Sequence, residues 1–227
     1  MVIKYLEWDS SFFNKKIGLL DLSQNQKYFE VENDYDLIYV VSDLEIVNNL
    51  TNYEQTHSET KVVFSKILAK EDKLVYDAIV SVLNSPPKES IYQLAFESGK
   101  FSRFNLDVNF TNSEFKQLYK KWVDNSYSRE FADDILVYEN LNESIGFVTF
   151  KIFENYATIG LIAVSPLYQG KGIGRKLLEA VESKLVVLGV DELKIPTQLQ
   201  NKIACEFYNK MGYKIIEEKK LKHYWKL

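Results

Sequence analysis

The stretch Val164-Ser165-Pro166-Leu167-Tyr168-Gln169-Gly170-Lys171-Gly172-Ile173-Gly174-Arg175 carries the clearest chemistry in this chain. Glycines at three alternate positions leave successive backbone N–H groups unobstructed, and a helix starting there adds the partial positive charge of its dipole. Such a turn grips an anion, and a side chain at Gly172 would push a bound phosphate outward. The context of the turn narrows what it holds. A P-loop needs Gly-Lys-Ser/Thr after four spacer residues, and that is missing here. A dinucleotide-binding unit puts its turn after the first strand of a parallel sheet, usually early in the domain. This turn comes late and follows strands joined by short polar connections.

The elements around it must hold it in place. Residues 134–139, 145–153 and 157–164 read as three strands, and connections at 140–144 and 154–156 make an antiparallel meander the economical arrangement. Periodicity predicts a helix over 172–188 with Leu177, Leu178, Val181, Leu185 and Leu188 inward and Gly189 as its C-terminal stop. A strand over 193–197, a helix over 202–211 and one or two strands over 214–226 complete this half. Upstream, Thr111 and Glu114 have capping-box spacing ahead of an apolar face of Phe115, Leu118, Tyr119 and Trp122, and a short helix is expected over 91–97. The first third is mixed: strands over 37–41 and 61–68, a helical spacing of Leu44, Val47 and Leu50 within 43–56, and a charged helical stretch over 71–83. That stretch runs into Pro86-Pro87, through which no helix continues. The expected class is α+β, with a smaller α/β N-terminal domain (1–68), a linker with helix (69–89) and a larger domain (90–227).

Composition excludes several classes. Of 227 residues, 46% are apolar and 14% aromatic, enough for a sizeable core. Net charge is −4 with a pI of about 5.4, and the Lys and Arg residues are scattered, so no nucleic-acid footprint is expected. The single cysteine forms no internal disulfide, and two distant histidines leave no metal cluster. Neither a leader sequence nor an apolar run of about 20 residues is present, which points to a cytoplasmic protein. Cys205 reads as a packing residue. His57 and His223 read as solvent or interface positions.

Gln169-x-x-Gly172-x-Gly174 after a strand ending in Val164 resembles the acetyl-CoA motif of the GNAT N-acetyltransferase superfamily. Asn201, Ala204, Tyr208 and Gly212-Tyr213 have the spacing of that family's following helix. The resemblance implies the GNAT fold, a mixed and mostly antiparallel sheet flanked by helices, with acetyl-CoA or another acyl-CoA as co-substrate. It assigns Ile162, Ala163, Val164, Gln169, Gly170, Lys171, Gly172, Ile173, Gly174, Arg175, Asn201 and Ala204 to cofactor binding. Asn201 would touch the pantetheine arm, and Tyr208 would face the CoA sulfur as the acid that protonates the leaving thiolate. A phenol with a pKa of about 10 is matched to such a thiolate. A bulge expected at 162–164 would open the strand from its neighbour, and a backbone N–H there would stabilise the oxyanion.

Leu6-Glu7-Trp8-Asp9-Ser10-Ser11-Phe12-Phe13, Ser102-Arg103-Phe104 and Thr197-Gln198-x-x-Asn201 occur together and in order. In this the chain is similar to the dTDP-fucosamine acetyltransferase branch, which acetylates the 4-amine of dTDP-4-amino-4,6-dideoxygalactose for cell-surface polysaccharide. Arg103 would then pair with the diphosphate, and Phe101 or Phe104 would stack on thymine or the deoxysugar. Trp8, Phe12 and Phe13 form a core or line the acceptor cleft. Glu130, Asp133 and Asp134 are candidates for drawing the amine proton away, against a reading as solvated loop. The terminal Tyr224-Trp225-Lys226-Leu227 suggests a strand paired across the twofold of a homodimer. Two alternatives stay open: another amine acceptor (a protein N-terminus, a polyamine or a drug), and a CoA-binding sensor without turnover.

Overall fold

The computed structural model describes residues 3–23, 34–46, 50–69 and 76–227. Ten strands form one sheet in the order β1-β2-β3-β10-β4-β9-β8-β7-β6-β5. The meander is as expected: β6 (Asp134–Asn140), β7 (Glu143–Ile152) and β8 (Tyr156–Val164) pair antiparallel through tight connections. β9 (Glu192–Gln198) then joins β8 in parallel, and β4 (Tyr53–Ile67) joins β9 antiparallel. β10 (Lys214–Lys226) lies between β4 and β3 (Leu37–Ser42), and β2 (Ile17–Asp21) and β1 (Lys4–Tyr5) extend the sheet beyond β3. Residues before 69 therefore share this sheet with the later half of the chain, and the proposed boundary at 69–89 falls in the connection after β4.

Helices cover both faces. α5 (Ile173–Val187) and α6 (Lys202–Lys210) lie on one side, where Leu177, Leu178, Val181 and Leu185 pack on Val148, Phe150, Ile159 and Phe64. α2 (Glu89–Ser98), the one-turn α3 (Arg103–Leu106) and α4 (Asn112–Tyr127) lie on the other with α1 (Glu7–Phe13), over Phe147, Leu161, Ala163 and Tyr39. α4 starts with the reciprocal cap read from the sequence: Thr111 accepts from the Glu114 amide while the Glu114 carboxylate accepts from the Thr111 amide.

Two expected helices are not seen among the described residues. Within 43–56, residues 47–49 lie outside the described residues, and 53–56 are the start of β4. Within 71–83, residues 71–75 lie outside the described residues, while β5 (Ile79–Ser81) is an edge strand on β6. In both cases pairing to a long neighbouring strand overrides a weak helical spacing. The terminal strand is also corrected: from Lys220 to Trp225 β10 is hydrogen-bonded on both sides, to β3 and to β4, so its terminal aromatic end has no free edge for a second copy.

Candidate active site

β8 and β9 pair only from Tyr156 to Thr158, opposite Glu192 to Lys194, and then separate. Two local features cause the separation. On β8, Gly160 and Leu161 together oppose Thr149 of β7. This is a bulge two residues earlier than the sequence suggested, and the Leu161 amide donates to the Thr149 hydroxyl at 2.9 Å instead of to a ladder carbonyl. Position 160 must be glycine, because a Cβ there would come within 2.8 Å of that hydroxyl. On β9, Pro196 supplies no N–H. Because the Leu199 amide is turned to Thr60 of β4, alternation turns the nitrogen of 196 toward β8, so the missing donor falls where the ladder ends.

The same alternation aims the open amides. Leu161 and Ser165 donate toward β7, so the N–H groups of Ile162 and Val164 point into the gap. The gap is a cleft of about 620 Å³. One end is closed by the glycine turn: Gly170 and Gly172 have φ of +76° and +78°, and a Cβ on either would meet nothing within 4 Å. Gly172 caps α5 without any side-chain cap, and the first intrahelical bond is from the Lys176 amide to the Gly172 carbonyl at 3.1 Å. The amides of residues 172–175 therefore have no helical partner, and no acidic residue occupies this turn. Gly174 is informative because it is ordinary helix, where a Cβ would be only in van der Waals contact, 3.6 Å from Phe207 and 3.8 Å from Val164. The fold does not require glycine there, whereas a phosphate pressed against the helix start does.

Residues 90–213 match the Acetyltransferase (GNAT) family model. The chain belongs to this family. Over 137 residues it is 26% identical to the spore coat polysaccharide biosynthesis protein SpsD of Bacillus subtilis, covering 60% of this chain and 47% of SpsD. Over 139 residues it is 25% identical to the spermidine N(1)-acetyltransferase of Thermoplasma acidophilum, covering 56% of this chain and 82% of that enzyme. A putative GNAT acetyltransferase structure from Novosphingobium aromaticivorans superposes with a TM-score of 0.52 at 12% identity, over 86% of this chain and 77% of that one, a likeness of fold.

The GNAT co-substrate acetyl-CoA fits what the cleft presents: a turn of free amides with Arg175 beside it for the diphosphate, and an unpaired strand edge for an amide-bearing arm. Lys171 does not line the cleft, and its ammonium lies over the Tyr168 ring. Asn201 caps α6, its Oδ1 accepting from the Ala204 amide at 3.3 Å, and both residues line the cleft. Gln169 is more committed than expected. Its Nε2 donates to the Val164 carbonyl at 2.9 Å and to Glu97 at 3.3 Å, so the side chain clamps the turn as well as lining the cleft.

Tyr208 faces the cleft from α6 while its ring packs against Phe64 and Phe207. It is 4% exposed, and its hydroxyl makes no hydrogen bond among the described residues. Burial raises its pKa well above that of a free phenol, so the match to a thiolate is looser than the sequence reading assumed, and the hydroxyl stays protonated at neutral pH.

On the α4 face the cleft is lined by Tyr119 and Trp122 of α4, Lys61 of β4, and Lys100 and Phe101 after α2. Phe101 thus lines the cleft. Phe104 does not: at 5% exposure it is packed among Phe13, Phe110 and Trp122, with no face left for a base. The Arg103 guanidinium lies 4.0 Å above the Tyr39 ring, at the margin of a buried polar cluster, and does not line the cleft. That cluster corrects the histidine reading. His57 and His223 are interior: His223 is wholly buried and its Nδ1 donates to Asp107 at 2.5 Å, while the Trp225 indole donates to the same carboxylate oxygen at 2.9 Å. His57 pairs with Glu59 at 3.2 Å.

Asp133 and Asp134 both carry structural bonds. Asp133 accepts from the Ile152 amide at 2.6 Å, and buried Asp134 is held by Ser81, the Ile135 amide and Lys184. Burial raises the Cys205 thiol pKa, consistent with packing. Phe13 is core, while Trp8 is half-exposed and stacks on Phe12. Lys61 was missed, although its signal was present: Val62 and Phe64 alternate into the core, which puts 61 on the opposite face of its strand.

Proposed function

We propose that this chain transfers an acetyl or related acyl group from acyl-CoA to the amine of a dTDP-linked amino-dideoxy sugar used in cell-surface polysaccharide. The observation that carries the reading is the chemistry of the cleft lining on the α4 face: Lys61, Phe101 and Lys100, the last paired with Glu97, which also accepts from Gln169 of the glycine turn. Partial desolvation and the nearby Arg103 guanidinium hold the Lys61 pKa below its ordinary value, against the pull of Glu59 and Glu217, although the residue keeps contact with solvent. A diphosphate arriving there relieves that repulsion, which an uncharged or cationic amine does not. The similarity to SpsD, whose name places it in polysaccharide synthesis, supports the same class.

Bound acyl-CoA supplies the activated carbonyl. The chain supplies position: the amides of 170–175 hold the diphosphate, the Ile162 and Val164 amides are donors for the arm and the carbonyl oxygen, and the Tyr208 hydroxyl is the proton source at the sulfur end. Glu130, exposed on the α4 side, is free of the structural bonds that occupy Asp133 and Asp134. An amine flanked by sugar oxygens is weakly basic, so solvent is a sufficient proton acceptor. The proposed homodimer needs a surface other than β10.

The test is thiol release from acetyl-CoA with separate panels of dTDP-amino sugars, polyamines and peptides. Turnover with the sugar nucleotides is expected. Turnover with only peptides or polyamines overturns the acceptor, and binding of CoA with no turnover on any panel favours a sensor.

A further inference from the structure

A second concavity, about 400 Å³, lies on the α4 face directly beyond the strand gap. Its walls are Trp122 and Ser126 of α4, Glu130 and Phe131 after it, and, on the sheet, Thr149 and Lys151 of β7 with Thr158, Gly160 and Leu161 of β8. Phe153 closes its outer end, stacked on Tyr156. Three residues, Trp122, Gly160 and Leu161, line both this groove and the main cleft. The continuity has a direction. From the glycine turn, the cleft follows β8 backwards from Val164 to Ile159, and the groove continues along the same strand from Leu161 to Thr158. The bulge makes the passage: Ile159 and Ile162 face α5 and Leu161 faces α4, so the extra residue brings the 160–161 backbone to the α4 side where the strands part.

The groove is unlike the cleft lining around Lys61 and Lys100. Its surface is largely aromatic and aliphatic, from Trp122, Phe131, Phe153 and Leu161. Its one cation is already engaged, since Lys151 donates to the Arg129 carbonyl at 3.1 Å and lies 3.5 Å from Asp133. Nothing there matches a diphosphate. We propose that this groove receives the distal methylenes of a donor acyl chain longer than acetyl, so that the protein takes medium-chain acyl-CoA. The proposal rests on the reading of the strand gap as the seat of the CoA arm.

Calorimetry with CoA, acetyl-CoA, butyryl-CoA and hexanoyl-CoA tests it without an acceptor. Buried methylenes contribute about fourfold each at full burial, so butyryl-CoA is expected to bind about tenfold more tightly than acetyl-CoA, with a further gain for hexanoyl-CoA. Thr158→Phe places a strand-compatible ring in the groove. It should abolish the chain-length gain while leaving CoA and acetyl-CoA affinities within about twofold of wild type. Equal affinity for all chain lengths in the wild-type protein overturns the proposal, as does a gain that survives Thr158→Phe. Failure of CoA itself to bind instead removes the reading of the strand gap. An unchanged donor profile combined with a raised KM for the amine assigns the groove to the acceptor.

Discussion

Two parts of the cleft are built from different materials. The diphosphate end is backbone: the amides of one contiguous turn, exposed because Gly170, Gly172 and Gly174 carry no side chain. The α4 face of the cleft is lined by side chains, and beside its Lys61 lies a buried cluster drawn from distant segments: Tyr39 on β3, His57 and Glu59 on β4, Arg103 and Asp107 around α3, His223 and Trp225 on β10. A contiguous backbone site depends on local conformation, and a single substitution disables it without dismantling the protein. A side-chain site of interlocked buried charges is also part of the fold, so the same kind of change there costs stability. The difference can be pressed by mutation.

Gly172→Val has the largest expected effect. CoA affinity should fall by about a hundredfold or more, since valine both fills the anion's space and disfavours a φ of +78°. That strain adds about 1–2 kcal/mol of destabilisation, visible in thermal melts. Asp107→Ala inverts the pattern. It strips the partner from buried His223 and Trp225, costing about 3 kcal/mol in denaturant unfolding with CoA affinity unchanged. An Asp107→Ala protein that melts normally but loses CoA would break the contrast.

The cluster also predicts a pH response. Burial lowers the His223 pKa to about 4, against an ordinary value of 6.5, and the Asp107 hydrogen bond only partly offsets this. The unfolded chain therefore binds more protons between pH 6.5 and 4. Stability present above 6.5 should drain by about 3 kcal/mol as pH falls through that window. Asp107, held at about 2 chiefly by its His223 and Trp225 hydrogen bonds against the pull of its own burial, extends the loss in the same direction at lower pH. His223→Gln should flatten the pH 4–6.5 slope in urea titrations.

Tyr208→Phe should slow thiol release about ten- to a hundredfold at unchanged CoA affinity, and an unchanged rate would take the phenol out of the mechanism. Gly174→Ala is the finest probe. The added methyl meets only ordinary contacts in the empty protein, so the melting temperature should hold or rise slightly. CoA binding should nonetheless weaken several-fold, a split that only a ligand pressed against the helix start produces.

The same division explains what could be read from the sequence. The meander, the capping box at Thr111 and the glycine turn are local signals, each complete within one contiguous stretch of chain, and each is found as expected. Arg103 and Phe104 were readable as a motif but not as a location. Ser102-Arg103-Phe104 has the residue types for gripping a nucleotide, yet Phe104 is core because Phe13 and Phe110 converge on it from outside that segment. His223 looked peripheral because its strand, β10, carries the charged run Glu217 to Lys220, and nothing local says that this strand lies between β3 and β4. The bulge at Gly160 was misplaced by two residues because its determinant, the Thr149 hydroxyl, is on another strand.

The position of β10 has a consequence for biogenesis. β1, β2 and β3 reach the rest of the sheet only through it, and β4 meets β3 only across it. As the ribosome delivers the chain, β3 and β4 stay uncapped on facing edges until the sequence from Lys214 onward has emerged. The nascent protein thus carries two open, aggregation-prone templates through most of its synthesis, and sealing them requires contacts of very long sequence separation. Folding should therefore be slow, completed by one late insertion, and dependent on holdase chaperones until that strand docks.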